Sequence, residues 1–518
     1  MLLRLWRRSP ADMVCMGLVL ATSIYVIVGP FLVSRYPMMT DLPFHAANAA
    51  ILRHYFDPAW HFREQFVLQP FAVPYLSMYV IAALLMTFMS AVSAIKVAAV
   101  VMLALLPIGL AVLSWGMHKS PLLGVAGLVL VWGGLSSWGF LNFLGALGLF
   151  AMALGFALRG RAWAVSWVLV VLLFTHPFRF PFALAIAGGV LLFRRRRGIE
   201  VLALPAALFV VWWFARPPEL SGDFGPLAFH LERLPEAGGH LYRSLRDPLE
   251  KRAADFALET LCWLGLGLAA MGVVERRGAP VPAVLVVAGT ALVFLSLYLV
   301  LPMQVGVWWY VYPREITAAA FMALGVIPDL PRTRVLRVGA VVLLCGVMLP
   351  LGKVVIDSWR PFDAATRDFD AVVARLPRAP KLLYLVFDHT GSQALRTPFI
   401  HLPAYVQAER GGWLSFHFAG WGAAPVAYRQ EGGVVPPPVP LRWEWTPQRF
   451  EVARNGAFFD WFLVRSQHAP SAIFSADPSI AFEARSGRWW LYRRKGSSLS
   501  NKPTPSSASK RALVTVPP

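Results

Sequence analysis

Long apolar stretches alternate with short polar ones through the first two thirds of this chain. They fall at roughly 13–33, 71–90, 93–115, 121–135, 138–158, 162–176, 181–193, 199–215, 256–274, 281–302, 313–328 and 335–351. Most approach the ~20 apolar residues that a helix needs to cross a bilayer. The pattern predicts a bundle of transmembrane helices. The shortest segment, 181–193, gains length from the HPFRFPF stretch at 176–182 that leads into it.

After residue 351 the period changes. YLVFD (384–388), WFLVR (461–465) and RWWLYRR (488–494) are short runs rich in aromatic and branched residues. Turn formers separate them: Asp388-His389-Thr390-Gly391, Gly411-Gly412, Gly432-Gly433, Pro436 to Pro438, Asn455-Gly456 and Ser486-Gly487. Strands broken by such turns predict a small α/β domain. The domains expected are therefore a helical membrane part over 1–351, an α/β domain over 352–495, and a disordered Ser/Pro/Lys-rich tail over 496–518.

Charge orients the bundle. Arg4, Arg7 and Arg8, Arg159 and Arg161, Arg194 to Arg197, Arg276 and Arg277, and Arg332, Arg334 and Arg337 sit in short runs beside apolar segments. Basic residues concentrate in cytoplasmic loops, so these runs mark the inner face. The N-terminus is then cytoplasmic. The first loop (34–70), the loop 216–255, the HPFRFP stretch and everything after 351 lie outside. An odd number of crossings is required, and 121–135, ending in GGLSS, is the segment expected to be a re-entrant or half-length helix. The expectation is a polytopic α-helical membrane protein of about eleven transmembrane helices, some short, with a C-terminal extracytoplasmic α/β domain.

Composition sharpens this. The chain has 518 residues, 57% hydrophobic and 15% charged, well below the roughly 25% charged residues of soluble proteins. Its net charge of +20 follows the membrane-flanking pattern and speaks against nucleic acid as a partner. The three cysteines, Cys15, Cys262 and Cys345, all lie in apolar segments, which excludes a CxxC metal site or a disulfide framework. No P-loop, GxGxxG, HExxH or GxSxG pattern is present. The first segment lacks a small-residue cleavage site and reads as a retained span. Membrane lipids are expected partners, and the bacterial inner (plasma) membrane is the expected location.

Ionisable residues cluster in TDLPFHAANAAILRHYFDPAWHFREQ (40–65). Thr40 is a candidate N-cap and Pro43 suits a first helical turn. A helix from there through Tyr55 places Asp41 and His45 on one face, with Ala46, Ala49, Ala50 and Ile51 forming an apolar surface suited to the interfacial plane. Such a pair can share a divalent cation, or the Asp can act as a base; an Asp at that position also stabilises a helix N-terminus. His54, His61, Arg63 and Glu64 take interfacial or structural roles. His176 opens a helix break that must be lined by protein or a watery cavity, as a second ligand or an acid, with Arg179 as a phosphate contact or a snorkelling end group. In WWYVYPRE (308–315), Arg314 can bind phosphate through its fork beside Glu315, and Tyr310 can stack on a sugar; an aromatic belt with an anchoring Arg gives the same pattern. The charges of 216–255 (Asp223, His230, Glu232, Arg233, His240, Arg243 and Arg246) are expected on short interfacial helices. Asp388-His389 reads as a surface turn.

These parts resemble the GT-C superfamily of integral membrane glycosyltransferases: an acidic residue after the first span, followed by the DLPFH helix, with His176 and Arg314 on the same face. The resemblance implies transfer of a sugar from a polyprenyl-phosphate-linked donor to a lipid or glycan acceptor at the outer face, with inversion at the anomeric carbon. It implies Asp41 as base or metal-coordinating acid, His176 as a histidine beside it, and Arg314 at the lipid phosphate. Many members carry two adjacent acids where this chain has Thr40-Asp41, which leaves a divalent cation, held by Asp41, His45 and His176, an open expectation. The competing readings are a non-catalytic lipid-linked-sugar transporter or flippase, or an envelope scaffold on a degenerate transferase fold. A transporter needs ionisable groups near the bilayer midplane, where this chain has almost none.

Overall fold

The computed structural model describes residues 10–70, 75–194, 198–216, 227–242, 248–275, 278–306, 308–391, 397–421, 424–439 and 442–496. Arg4, Arg7, Arg8, Arg195 to Arg197, Asp223, Arg243, Arg246, Arg276, Arg277 and the tail beyond 496 lie outside the described residues.

All twelve apolar segments contain helix. Among the described residues, six helices are long and apolar enough to cross a membrane: Pro10–Val33, Ala91–Gly116, Leu141–Leu158, Glu250–Val274, Val281–Val300 and Arg334–Val373. Shorter apolar helices cover Ala162–Thr175, Pro177–Phe193 and Ile199–Ala215. The segment expected to be re-entrant is the ten-residue 3-10 helix Pro121–Leu130, with nine of its residues buried. A 3-10 helix rises about 2 Å per residue, so ten residues reach only about two thirds of a ~30 Å hydrocarbon core.

Contacts group the chain into two units: Met1–Leu32, Pro74–Met78 and Ala99–Asp357 form the first, and Val33–Val73, Tyr79–Ala98 and Ser358–Pro518 the second. In the first unit, helices Ala91–Gly116 and Leu141–Leu158 touch backbone to backbone. A Cβ built on Gly148 would lie 2.0 Å from the Leu105 carbonyl oxygen, and one on Gly109 2.2 Å from that of Gly148. Small residues allow this approach, which brings dispersion contacts between helices that gain nothing from leaving lipid.

The second unit contains a five-stranded mixed sheet. Lys381–Val386 pairs in parallel with Trp413–Leu414 on one side and Trp461–Arg465 on the other. Trp489–Arg494 runs antiparallel between Trp461–Arg465 and Ile480–Ser486. Side chains alternate across a strand, so Leu383, Leu385, Phe462, Val464, Trp490 and Tyr492 fill one core with Phe459 and Phe474. The three strands expected from sequence are all present.

The sequence attaches residues 34–70 to the membrane part and starts the α/β domain at 352. The structure groups that loop with the sheet and starts the C-terminal segment of this unit at Ser358. Phe66–Leu68 forms an antiparallel pair with Val426–Tyr428. The Gln65 amide donates to the Gly412 carbonyl at 3.0 Å, and Gly412 N–H donates to that of Trp60 at 3.1 Å. Gly412 has φ +80, and a Cβ there would meet the Pro380 carbonyl oxygen at 2.4 Å. Only glycine fits both conditions without strain.

Candidate active site

In the second unit the site begins at helix Leu42–His54. Asp41, not Thr40, occupies the N-cap position, and its carboxylate makes no cap bond to the helix. Pro43 stands in the first turn, as expected. Ala46, Ala49, Ala50 and Ile51 are fully buried, which corrects the interfacial placement: this apolar face packs inside the protein, against helix Ala404–Arg410.

Freed from capping, the Asp41 carboxylate pairs with His401, whose Nδ1 lies 3.0 Å from Oδ1. His401 is 4% exposed, and its Nε2 has no partner among the described residues. Phe44, Phe416 and Phe418 surround the ring with centroids at 4.8, 6.0 and 5.3 Å. Glu444 is within electrostatic reach of both Asp41 and His401. Burial, with Asp41 adding to it, holds its carboxyl above the usual range, and its Oε2 is buried without a partner among the described residues. His417 packs on the other side of Phe44. Its Nδ1 accepts the Ala419 N–H at 3.0 Å, and burial lowers its pKa to about 3.

His45 Nδ1 is 2.8 Å from the Tyr79 hydroxyl. His54 stacks on Trp60 at 3.8 Å, and His61 pairs with Glu64 at 2.6 Å. Arg63 gives only its carbonyl, to Arg429. These are structural roles, as expected. Asp388 is a turn residue held by Arg465 and Arg488.

In the first unit the chain breaks after helix Ala162–Thr175, with His176 extended and Pro177–Arg179 a single 3-10 turn. His176 is 5% exposed, and neither ring nitrogen has a partner among the described residues. Tyr75 and Phe143 contact it edge-on at 5.1 and 5.5 Å. Arg179 uses both fork nitrogens on Glu315, one at 2.6 Å, and sits 4.7 Å over Phe143. The pair is buried. Arg179, expected at a phosphate, is therefore engaged by Glu315, and Glu315 by Arg179.

Glu315 follows Arg314 in the first turn of helix Val311–Leu324, so the ion pair fixes the turn that carries Arg314. Arg314 lies 4.2 Å over Phe140. Its Nε donates to the Tyr310 carbonyl at 2.9 Å, and its Nη2 to that of Trp309. Among the described residues its Nη1 donates to nothing. Tyr310 has φ +61 and stacks on Phe140 with its ring buried. It serves this site through its carbonyl. Trp308–Trp309 form a two-residue strand with Gln304–Val305. His240 lies on the short helix Ala237–Tyr242, is 1% exposed and meets the Tyr298 hydroxyl at 3.0 Å.

Of the three residues singled out by sequence, His176 and Arg314 share the first unit and Asp41 belongs to the second. No group of three His, Cys, Asp or Glu residues able to hold a metal is found among the described residues. Asp41 Oδ1 pairs with His401 and His45 Nδ1 with Tyr79, while His176 belongs to the other unit. Sequence reasoning missed His401. It lies 360 residues from its partner, and the one available signal was a His-Leu-Pro run at 401–403, ahead of a helix, that echoes Asp-Leu-Pro at 41–43.

No protein-family model and no curated protein matches the chain. Its structure matches the crystal structure of ArnT from Cupriavidus metallidurans bound to undecaprenyl phosphate, with a TM-score of 0.52 and 13% identity. The match covers 94% of this chain and 99% of that one. The chain thus shares the fold of that protein over nearly its whole length.

Proposed function

We propose that this chain is a membrane glycosyltransferase that moves a sugar from a polyprenyl-phosphate-linked donor to a hydroxyl of a cell-envelope lipid or glycan, at the outer face of a bacterial inner membrane. The observation that carries the reading is the fold likeness, over nearly the whole chain, to a protein solved with undecaprenyl phosphate. Two local arrangements support it. Arg314 keeps a guanidinium nitrogen without a partner among the described residues, which suits a phosphate oxygen as it gains charge. Asp41 and His401 form an oriented acid–imidazole pair of the kind that removes a proton from a hydroxyl.

In this reaction the acceptor oxygen attacks the anomeric carbon as the sugar–phosphate bond breaks. Arg314 offsets the charge left on the lipid phosphate. Arg179 and Glu315 position Arg314. His176 and the rings around it line a dry wall that keeps water from competing with the acceptor. Apolar helices supply a surface for the polyprenyl tail, so no nucleotide-binding loop is required.

Asp41→Asn in the source cell provides the test. Envelope glycans should lose one sugar, and the corresponding lipid-linked donor should accumulate, at normal protein level. An unchanged glycan and donor pool contradicts the reading.

A further inference from the structure

We propose that His401 is the general base for the acceptor hydroxyl, its ring held through Nδ1 by Asp41 so that Nε2 faces the reacting oxygen. The inference rests on the glycosyl-transfer reading and deepens it, because the acid of the first loop becomes the positioning residue and a histidine far along the chain becomes the catalytic one.

Hydrogen-bond chemistry makes the assignment. A carboxylate only accepts, so the 3.0 Å contact to Asp41 requires His401 to donate from Nδ1. Its neutral ring then carries a lone pair on Nε2, the nitrogen without a partner among the described residues although the residue is 4% exposed. Two neighbouring histidines fail this condition. His417 accepts at Nδ1 from Ala419, which places its proton on Nε2 and makes that nitrogen a donor. His45 meets a phenol, which can donate or accept, so its tautomer is not fixed.

Asp41 itself is less suited to the task. One oxygen is occupied by His401. An imidazole is ordinarily basic nearer neutral pH than a carboxylate. Three phenylalanines fix the ring plane from the sides. Glu444 provides an independent observation: its Oε2 is a second buried oxygen without a partner among the described residues, on a side chain within electrostatic reach of the same pair. A hydroxylated acceptor finds there an oxygen for a neighbouring hydroxyl.

The step balances. His401 Nε2 takes the proton of the acceptor hydroxyl while its oxygen bonds to the anomeric carbon. The carbon–phosphate-oxygen bond breaks, and the lipid phosphate leaves with the electron pair. Asp41 stabilises the imidazolium until its proton passes to water.

The test uses the full chain in lipid nanodiscs with a panel of undecaprenyl-phosphate-linked monosaccharides and an envelope extract as acceptor, following release of undecaprenyl phosphate. His401→Ala should lower kcat by about 100-fold or more with KM for the donor little changed, and added imidazole should restore part of it. His401→Gln should be equally slow without rescue. Asp41→Asn should lower kcat at unchanged donor KM, with partial recovery in Asp41→Glu. A wild-type chain that turns over donor, with His401→Ala as fast, overturns the base assignment and leaves glycosyl transfer standing. A slow His401→Ala that melts like wild type but ignores imidazole gives His401 a structural role and also overturns it. A wild-type chain that releases no lipid phosphate from any donor overturns both readings.

Discussion

Arg314 and Glu315 are neighbours in sequence with different fates. Glu315 is held by Arg179 in a two-pronged ion pair whose side chains are 5% and 4% exposed; Arg314 keeps one nitrogen unengaged among the described residues. Breaking a buried pair from one side leaves an uncompensated charge, at a cost of about 3–5 kcal/mol. Glu315→Gln should therefore lower the melting temperature in detergent sharply, and Arg179→Met with Glu315→Leu should recover most of the loss. Equal melting of the single and double variants contradicts a stabilising pair. A second prediction concerns pH. In the second unit, Arg35 meets Asp370 at 3.2 Å and Glu409 at 3.9 Å, and Asp370 accepts from Tyr36 at 2.6 Å. Burial raises both carboxyls above their ordinary values of 3.8 and 4.5. In the window from those values up to the raised ones, the folded state binds more protons than the unfolded, so this contribution to stability falls as pH rises. Glu409→Gln should flatten the melting-temperature profile in that window; an unchanged slope rejects the assignment. At this scale the sequence was half legible. Asp41 stood out because an acid beside a span is unusual. His401 did not, because a contact across 360 residues leaves no local period or spacing to read.

Elements were more legible than contacts. Twelve apolar stretches became helices because a bilayer demands internally satisfied backbone, and that demand is written as uninterrupted hydrophobicity. YLVF, WFLV and WWLY became strands for an equally local reason, branched and aromatic residues alternating between turn formers. What escaped was pairing. Nothing in FVL at 66–68 announces its antiparallel partner at 426–428, and an alanine-rich helix reads the same whether it meets lipid headgroups or protein. The helix Leu42–His54 was expected at an interface and is buried for that reason. Helix approach yields a prediction here. Gly148→Leu places side-chain atoms in the Leu105 backbone and should cost about 1–3 kcal/mol or prevent assembly. Gly189→Leu, on a helix with nothing within 4 Å of the new Cβ, should melt like wild type. Equal melting of the two variants contradicts the close packing of Ala91–Gly116 on Leu141–Leu158.

For the whole molecule, the fold likeness over 94% of the chain carries the proposed function, in which apolar helices would take a lipid tail, Arg314 its phosphate, and the Asp41 loop an acceptor. That loop is grouped with the sheet in one unit, and the C-terminal segment supplies His401, the partner of Asp41. Orientation belongs to this scale too. A reporter fused after residue 351 should prove extracytoplasmic, and a cytoplasmic signal reverses the assignment of faces. The central claim is that a polyprenyl phosphate is the leaving group, and its most direct measurement is turnover of undecaprenyl-phosphate-linked monosaccharides by the purified chain and by Arg314→Gln. The account predicts release of undecaprenyl phosphate by wild type, with the arginine variant slower by about 100-fold or more, the scale for removing one stabiliser of developing charge. Wild type that releases none, or an Arg314→Gln variant that releases it as fast, contradicts it.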